Sequence, residues 1–358
     1  MSHMIGSRSI NRSEISRILI RATNWVGDAI MTFPAIEAVR ESFPKSTLIV
    51  LARPWVIPLF ESHPMLDGLM TLGKGKTSFF GLTDIIKASL QIRRQKFDLA
   101  VLFQNAFEAA LIAYLGGIRY RVGYDTDHRR LLLSHAVIRD DIIMNAHQVE
   151  YYLSLIRAMG LNARSKDPEL FVSKEQEQKA LPLLSENGVE QNDFILGISP
   201  GAIYGPAKRW PPERFAAIGD MAVDRWGAKV IIFGSGQENG ICDRVSTSMH
   251  HPSINLCGST QIGELIALIR RCNLFVSNDS GLMHMASALK VPLVAIFGST
   301  NPVATGPRGP RSRIVRHQLD CAPCMRPECP RDFECMLGIE PEDVWNELLS
   351  FKNEMEGR

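Results

Sequence analysis

An α/β architecture of two parallel-sheet domains facing a cleft is predicted by three observations. Short apolar runs rich in Ile, Leu and Val alternate with amphipathic stretches in both halves of the chain, as expected for parallel strands covered on both faces. The 358 residues exceed what one hydrophobic core ordinarily serves, so two domains are expected. Each run of the second half ends in small or polar residues, at the carboxyl ends of strands, where open parallel sheets hold their ligands.

In order, the first half reads as a strand over 17–22 (RILIRA), a helix over 29–43 (AIMTFPAIEAVRESF), and strands over 46–52 (STLIVLA) and 98–104 (DLAVLFQ). A helix is expected over 144–159. The polar, proline-containing 161–178 reads as the crossing to a second unit. There the rhythm returns with FILGISPG (194–201), KVIIFGSG (229–236), LFVSNDSG (274–281) and PLVAIFGST (292–300). Pro341 suits the first turn of a closing helix. The expected division is residues 1–172, residues 173–340 including a cysteine-rich segment at 321–335, and a final helix over 341–358.

Composition narrows the function classes. Hydrophobic residues make up 45% and charged residues 22%, and the formal net charge is +2, an ordinary globular profile less basic than a general nucleic-acid binder. The N-terminal stretch MSHMIGSRSINRSEIS is polar, and no window holds the roughly 18 apolar residues of a spanning helix. A cytoplasmic protein is expected. Of seven cysteines, Cys242, Cys257 and Cys272 are scattered and read as reduced packing residues.

The densest functional signal is Asn278-Asp279-Ser280-Gly281, where an apolar strand breaks and a helix begins. Unpaired amides and the positive end of the helix macrodipole make such a place an anion site, and His284 follows one turn later. Ser199-Pro200-Gly201 ends another strand, and a loop with Lys208 and Arg209 follows. A cation there would stabilise a departing diphosphate; the alternative is solvated surface charge. Glu238, in a turn that matches the dinucleotide fingerprint poorly, is placed either to accept from ribose hydroxyls or to stand as a solvated helix-start residue.

In the first half, Asn24, Trp25 and Asp28 follow the first strand. Asp28 serves either as a helix N-cap or as a general base facing the cleft. Arg119 and Arg121 belong to a basic segment suited to an acidic acceptor. Cys321, Cys324, Cys329 and Cys335 are close enough in sequence to ligate one structural zinc ion, with packed reduced thiols or a disulfide as the alternatives.

Together, NWVGDAIMTFPAI, ARPWVIPLFESHP, SPGAIYGPAKRWP, SNDSGLMHMASAL and GSTNP resemble the lipopolysaccharide heptosyltransferases of glycosyltransferase family 9 over nearly the whole chain. The resemblance implies a GT-B fold of two Rossmann-like domains and inverting transfer from ADP-L-glycero-β-D-manno-heptose (ADP-heptose). PGAIYGPAKRWP and the CAPC element are similar to the branch that adds the second heptose, which implies heptosyl-Kdo2-lipid A as acceptor. By the same resemblance Asp28 is the base and Lys208 holds the diphosphate. Ser199, Gly201, Glu238, Asp279, Ser280, Gly281 and His284 line the donor site, and Asn24, Trp25, Arg119 and Arg121 are expected on the acceptor side. No cofactor is obligatory, no nucleic acid is a partner, and peripheral contact with the cytoplasmic face of the inner membrane is expected. The alternatives are the first heptosyltransferase or another family 9 core transferase, and, from a different class, a non-catalytic nucleotide-binding assembly protein with a metal-binding cysteine module.

Overall fold

The structure is a computed structural model that describes residues 4–6, 10–73 and 81–357. Part of the polar N-terminal stretch, residues 1–3 and 7–9, lies outside them. The chain divides into two compact units, Met1–Phe171 and Val172–Arg358.

The first unit runs β1 (Met4–Gly6), β2 (Arg17–Arg21), α1 (Val26–Met31), α2 (Phe33–Ser42), β3 (Thr47–Ala52), β4 (Gly68–Thr71), α3 (Leu82–Gln95), β5 (Leu99–Leu102), α4 (Phe107–Leu115), β6 (Tyr120–Tyr124), β7 (His135–Val137), α5 (Asp141–Asn145) and α6 (Gln148–Ala158). Its sheet has the order β1-β7-β6-β5-β2-β3-β4, parallel except for β1, which pairs antiparallel with β7. Ile18, Leu19 and Ile20 of β2 and every residue of β5 are buried, because helices cover both faces of a parallel sheet.

Two expected helices are each broken. The helix expected over 29–43 divides at Thr32, since Pro34 offers no N–H to the Ile30 carbonyl and its ring would meet it. Thr32 Oγ1 donates instead to the Ala29 carbonyl at 2.6 Å. The helix expected over 144–159 divides at Ala146, which is extended, and restarts where His147 Nδ1 accepts from the Val149 N–H at 3.1 Å.

The second unit runs α7 (Lys174–Glu186), β8 (Ile195–Ser199), α8 (Pro212–Trp226), β9 (Lys229–Ile232), α9 (Asn239–Ser248), β10 (Ile254–Asn255), α10 (Ile262–Arg271), β11 (Leu274–Asn278), α11 (Gly281–Ala288), β12 (Leu293–Phe297), α12 (Pro302–Thr305), β13 (Ser312–Arg316), α13 (Glu334–Leu337) and α14 (Pro341–Glu356). Its sheet, β10-β9-β8-β11-β12-β13, is wholly parallel. The closing helix α14 belongs to this unit: Trp345 stacks on Trp226 of α8 with centroids 4.4 Å apart, and Val344 and Leu348 are fully buried in the same core as Ile198 and Val276. Each such side chain contributes about 1.5–3 kcal/mol by leaving water. Among the described residues no helix is long and apolar enough to cross a membrane.

Candidate functional site

In each sheet the chain runs outward on one side and then returns to build the other, and the reversal leaves a crevice at the carboxyl ends of two neighbouring strands. The reversal lies between β2 and β5 in the first unit and between β8 and β11 in the second. Both places gather polar side chains.

In the second unit Ser199 pairs in register with Ser277 across β8 and β11. Beyond them, Asn278 is fully buried; its amide donates to the Pro200 carbonyl at 2.7 Å and its oxygen accepts from the Trp210 N–H at 3.1 Å. One side chain thus pins both ends of the loop that carries Lys208. That loop delivers Lys208 Nζ to Asp279 Oδ2 at 2.6 Å, over the Tyr204 ring at 4.8 Å. Thr300, at the end of β12, donates to the same Asp279 oxygen at 2.6 Å. Arg209 turns away and donates to the Ala202 carbonyl, so the two neighbouring cations divide into one at the strand ends and one that braces its own loop.

Ser280 caps α11, its hydroxyl accepting from the Met283 N–H at 3.4 Å, and Gly281 opens the helix with its first amides outside the intrahelical ladder. His284 lies buried in the same helix. Glu238 is also buried rather than solvated. Its Oε2 accepts from the N–H and hydroxyl of Ser235 at 2.8 and 2.7 Å, closing a capping box ahead of α9. The carboxylate rests on Gly201, where an added Cβ would lie 1.9 Å from Oε1.

The segment with the clustered cysteines forms the wall behind the Lys208 loop. Ala207 N–H donates to the Pro327 carbonyl at 3.0 Å, Tyr204 OH to the Met325 carbonyl at 2.6 Å, and Met325 N–H to the Ser299 carbonyl at 2.8 Å. Gly205 takes φ 158° against Pro327, whose carbonyl oxygen a Cβ would meet at 2.2 Å. Cys321, Cys324, Cys329 and Cys335 are free thiols lining one small pocket with Ala207, Ser299 and Arg331. Burial raises the Cys335 thiol, and the three neighbouring thiols add to the effect. Among the described residues no three His, Cys, Asp or Glu side chains are placed to hold one ion. The zinc expectation therefore has no support: the thiols surround a space without converging on a point.

In the first unit Asp28 lies in the first turn of α1, whose N-cap, Trp25, makes no side-chain bond. Asp28 accepts from the Tyr152 hydroxyl at 3.3 Å. Burial first, then the charge of Asp28, holds that phenol protonated far above its usual range. Trp25 is 63% exposed beside it. Asn24 is committed to scaffold, its side-chain oxygen accepting from Arg21 and its carbonyl from the Trp55 indole. Arg21 is buried at the switch point, bonded to Glu108 at 3.0 Å, and its pKa falls to about 10 because burial outweighs the pairing.

The structure does not bring Arg119 and Arg121 to Asp28. They flank Tyr120 at the amino end of β6, which is level with Ile18 through Leu99 of β5, whereas Asp28 follows the carboxyl end of β2. Arg119 pairs with Glu14, and Arg121 is spent on the Leu132, Ile118 and Arg119 carbonyls. The sequence reading missed Asn278 as a clamp, Thr300 and Tyr152. Thr300 was signalled only as a hydroxyl at the end of an apolar strand.

Two Rossmann-like parallel sheets, each with polar side chains at its switch point, are the architecture of the GT-B fold. The chain belongs to glycosyltransferase family 9 (heptosyltransferase), whose sequence profile matches residues 85–333. It is 29% identical over 346 residues to lipopolysaccharide heptosyltransferase 2 of Escherichia coli K12, covering 93% of this chain and 97% of that one. It is 31% identical over 342 residues to lipooligosaccharide heptosyltransferase 2 of Campylobacter jejuni, covering 93% and 98%. The solved structure of E. coli ADP-heptose lps heptosyltransferase II superposes with a TM-score of 0.81 at 26% identity, covering 95% of this chain and 99% of that one.

Proposed function

We propose that this chain transfers L-glycero-D-manno-heptose from ADP-heptose to the first heptose of heptosyl-Kdo2-lipid A, with inversion, as a step of lipopolysaccharide inner-core assembly. The observation that carries the reading is the Lys208–Asp279–Thr300 constellation at the second unit's switch point, in a chain similar over more than nine-tenths of its length to heptosyltransferases 2.

In this reading Asp28, oriented by Tyr152, takes the proton of the acceptor hydroxyl as its oxygen attacks the anomeric carbon. The bond from that carbon to the diphosphate oxygen breaks, and ADP leaves with the electron pair. Lys208 and the open amides of α11 meet the growing charge on the departing diphosphate. Asp279 holds Lys208 in place before the donor arrives and accepts from the sugar hydroxyls once Lys208 turns to phosphate. Glu238 and Gly201 border the ribose, with Ser199, Ser280 and His284 around the donor. Trp25, exposed beside Asp28, offers an apolar plane to the acceptor sugar. The protein works at the cytoplasmic face of the inner membrane, because its acceptor is anchored in a bilayer, and no resident cofactor is needed.

The test is transfer from ADP-heptose to acceptors with and without the first heptose. The heptosylated acceptor alone is expected to turn over, and Asp28→Asn is expected to lower kcat by about 10²–10⁴-fold, the range for a lost general base. Efficient transfer to Kdo2-lipid A would reassign the chain to the first heptosyl step.

A further inference from the structure

We propose that α3 is the surface by which this chain docks on an anionic phospholipid bilayer. A helix covering one face of a sheet ordinarily turns its apolar stripe inward. In α3 the buried positions are Ala88, Ser89 and Ile92, while Leu82, Ile86 and Leu90 are 72%, 47% and 51% exposed. Spaced four residues apart, these three lie one above the other on the outer face. Leaving three large aliphatic side chains in water forgoes burial that an inward placement would gain, so the arrangement calls for an occupant.

The charge beside the stripe identifies that occupant. Arg93 continues the stripe in the last turn, Lys87 and Arg94 border it, and Lys96 stands just beyond the helix, all exposed. Asp84 is the one carboxylate of the helix. None of the four cations makes an ion pair among the described residues. A second copy of the same face would meet this charge with like charge, whereas anionic headgroups complement it. Each Lys or Arg near such a surface strengthens binding about fivefold, and aliphatic side chains between them enter the interface.

α3 lies between β4 and β5 of the first unit, the unit that also carries Asp28. This inference rests on the proposed acceptor being lipid-anchored, and the experiment separates the two claims.

The full chain is sedimented with vesicles of phosphatidylethanolamine and phosphatidylglycerol, and with vesicles of phosphatidylcholine alone. Two triple variants are compared, Leu82→Ser/Ile86→Ser/Leu90→Ser and Lys87→Gln/Arg93→Gln/Arg94→Gln. Heptosyl transfer is followed to the lipid acceptor in vesicles and to its water-soluble, deacylated form. The wild type is expected to pellet with the anionic vesicles only, and each variant to bind at least about tenfold more weakly. Both variants should lose transfer to the vesicle acceptor and keep transfer to the deacylated one, which also reports an intact fold. Loss of vesicle binding in variants of unchanged circular dichroism, with neither acceptor used by the wild type, upholds the docking surface and removes the acceptor reading. A wild type that ignores anionic vesicles, variants that bind them equally well, or a dimer in ultracentrifugation that the serine variant dissociates would each overturn the proposal.

Discussion

Lys208 and Asp279 come from positions 71 apart to form an ion pair at 2.6 Å, and both are largely buried. A buried pair recovers its desolvation only through good geometry and further bonds, and Thr300 supplies one by donating to the same Asp279 oxygen. Lys208→Ala is expected to lower kcat by about 10²–10³-fold, the effect of losing one preorganised charge-stabilising group. Thr300→Val should lower kcat/KM by about tenfold, roughly one hydrogen bond to a charged group, and Thr300→Ser should restore it. Equal rates for Val and Ser would remove Thr300 from the positioning of the pair. His63 carries a separate, pH-linked prediction in the first unit. Burial depresses its pKa to about 4, partly opposed by Glu169, and its ring packs edge-on between Phe33 and Phe171. Unfolded, it titrates near 6.5, so between those values only the unfolded chain takes up the proton. Stability is therefore lost as pH falls below about 6.5, by about 2 kcal/mol at pH 5. His63→Phe keeps the ring and removes the titration. Urea midpoints at pH 7 and pH 5 should fall less in the variant than in the wild type, and equal falls would discard the linkage.

At the scale of elements, the loop between β8 and α8 is held from outside itself. Asn278, at the end of β11, bonds the loop's beginning at Pro200 and its end at Trp210. Asn278→Ala leaves a buried carbonyl and a buried N–H unpaired, which costs about 1–3 kcal/mol for each group. Weaker ADP binding and a lower thermal midpoint are expected together; a lower midpoint with unchanged ADP affinity would make Asn278 a stabiliser without influence on the donor loop. The strands β2, β3, β5, β8, β9, β11 and β12 were legible in the sequence because each is a nearly continuous apolar run. Others were not: β6 carries Arg121 and Gly123, β13 carries Arg313 and Arg316 at the sheet edge, and β1 and β10 are only three and two residues long. Strand ends showed where Ser199, Asp279 and Ser280 stand, since parallel strands deliver their carboxyl ends to one edge. The partners could not be read, because Asn278 with Pro200 and Lys208 with Asp279 meet only once the sheet order is known. The placement of Arg119 and Arg121 was hidden for the same reason: composition marks a basic segment but not the edge of the sheet on which it falls.

At the scale of the molecule, every contact of the proposed donor site lies inside Val172–Arg358: Lys208–Asp279, Thr300–Asp279, Asn278–Pro200 and Glu238–Ser235. That unit also holds a complete parallel sheet and its own core, and α14 closes over them through Trp345 and Leu348. A unit with its own core can fold alone, and a ligand that binds only the folded state stabilises it by an amount set by its affinity. The segment 172–358, produced by itself, is therefore expected to melt cooperatively and to bind ADP as the whole chain does. With ADP at a hundredfold excess over Kd, each should gain about 2.7 kcal/mol. The segment should transfer no heptose, since Asp28 and Tyr152 are missing from it. Calorimetric titration of both proteins decides the point: a folded segment with much weaker ADP binding than the full chain would mean that the first unit supplies part of the nucleotide site.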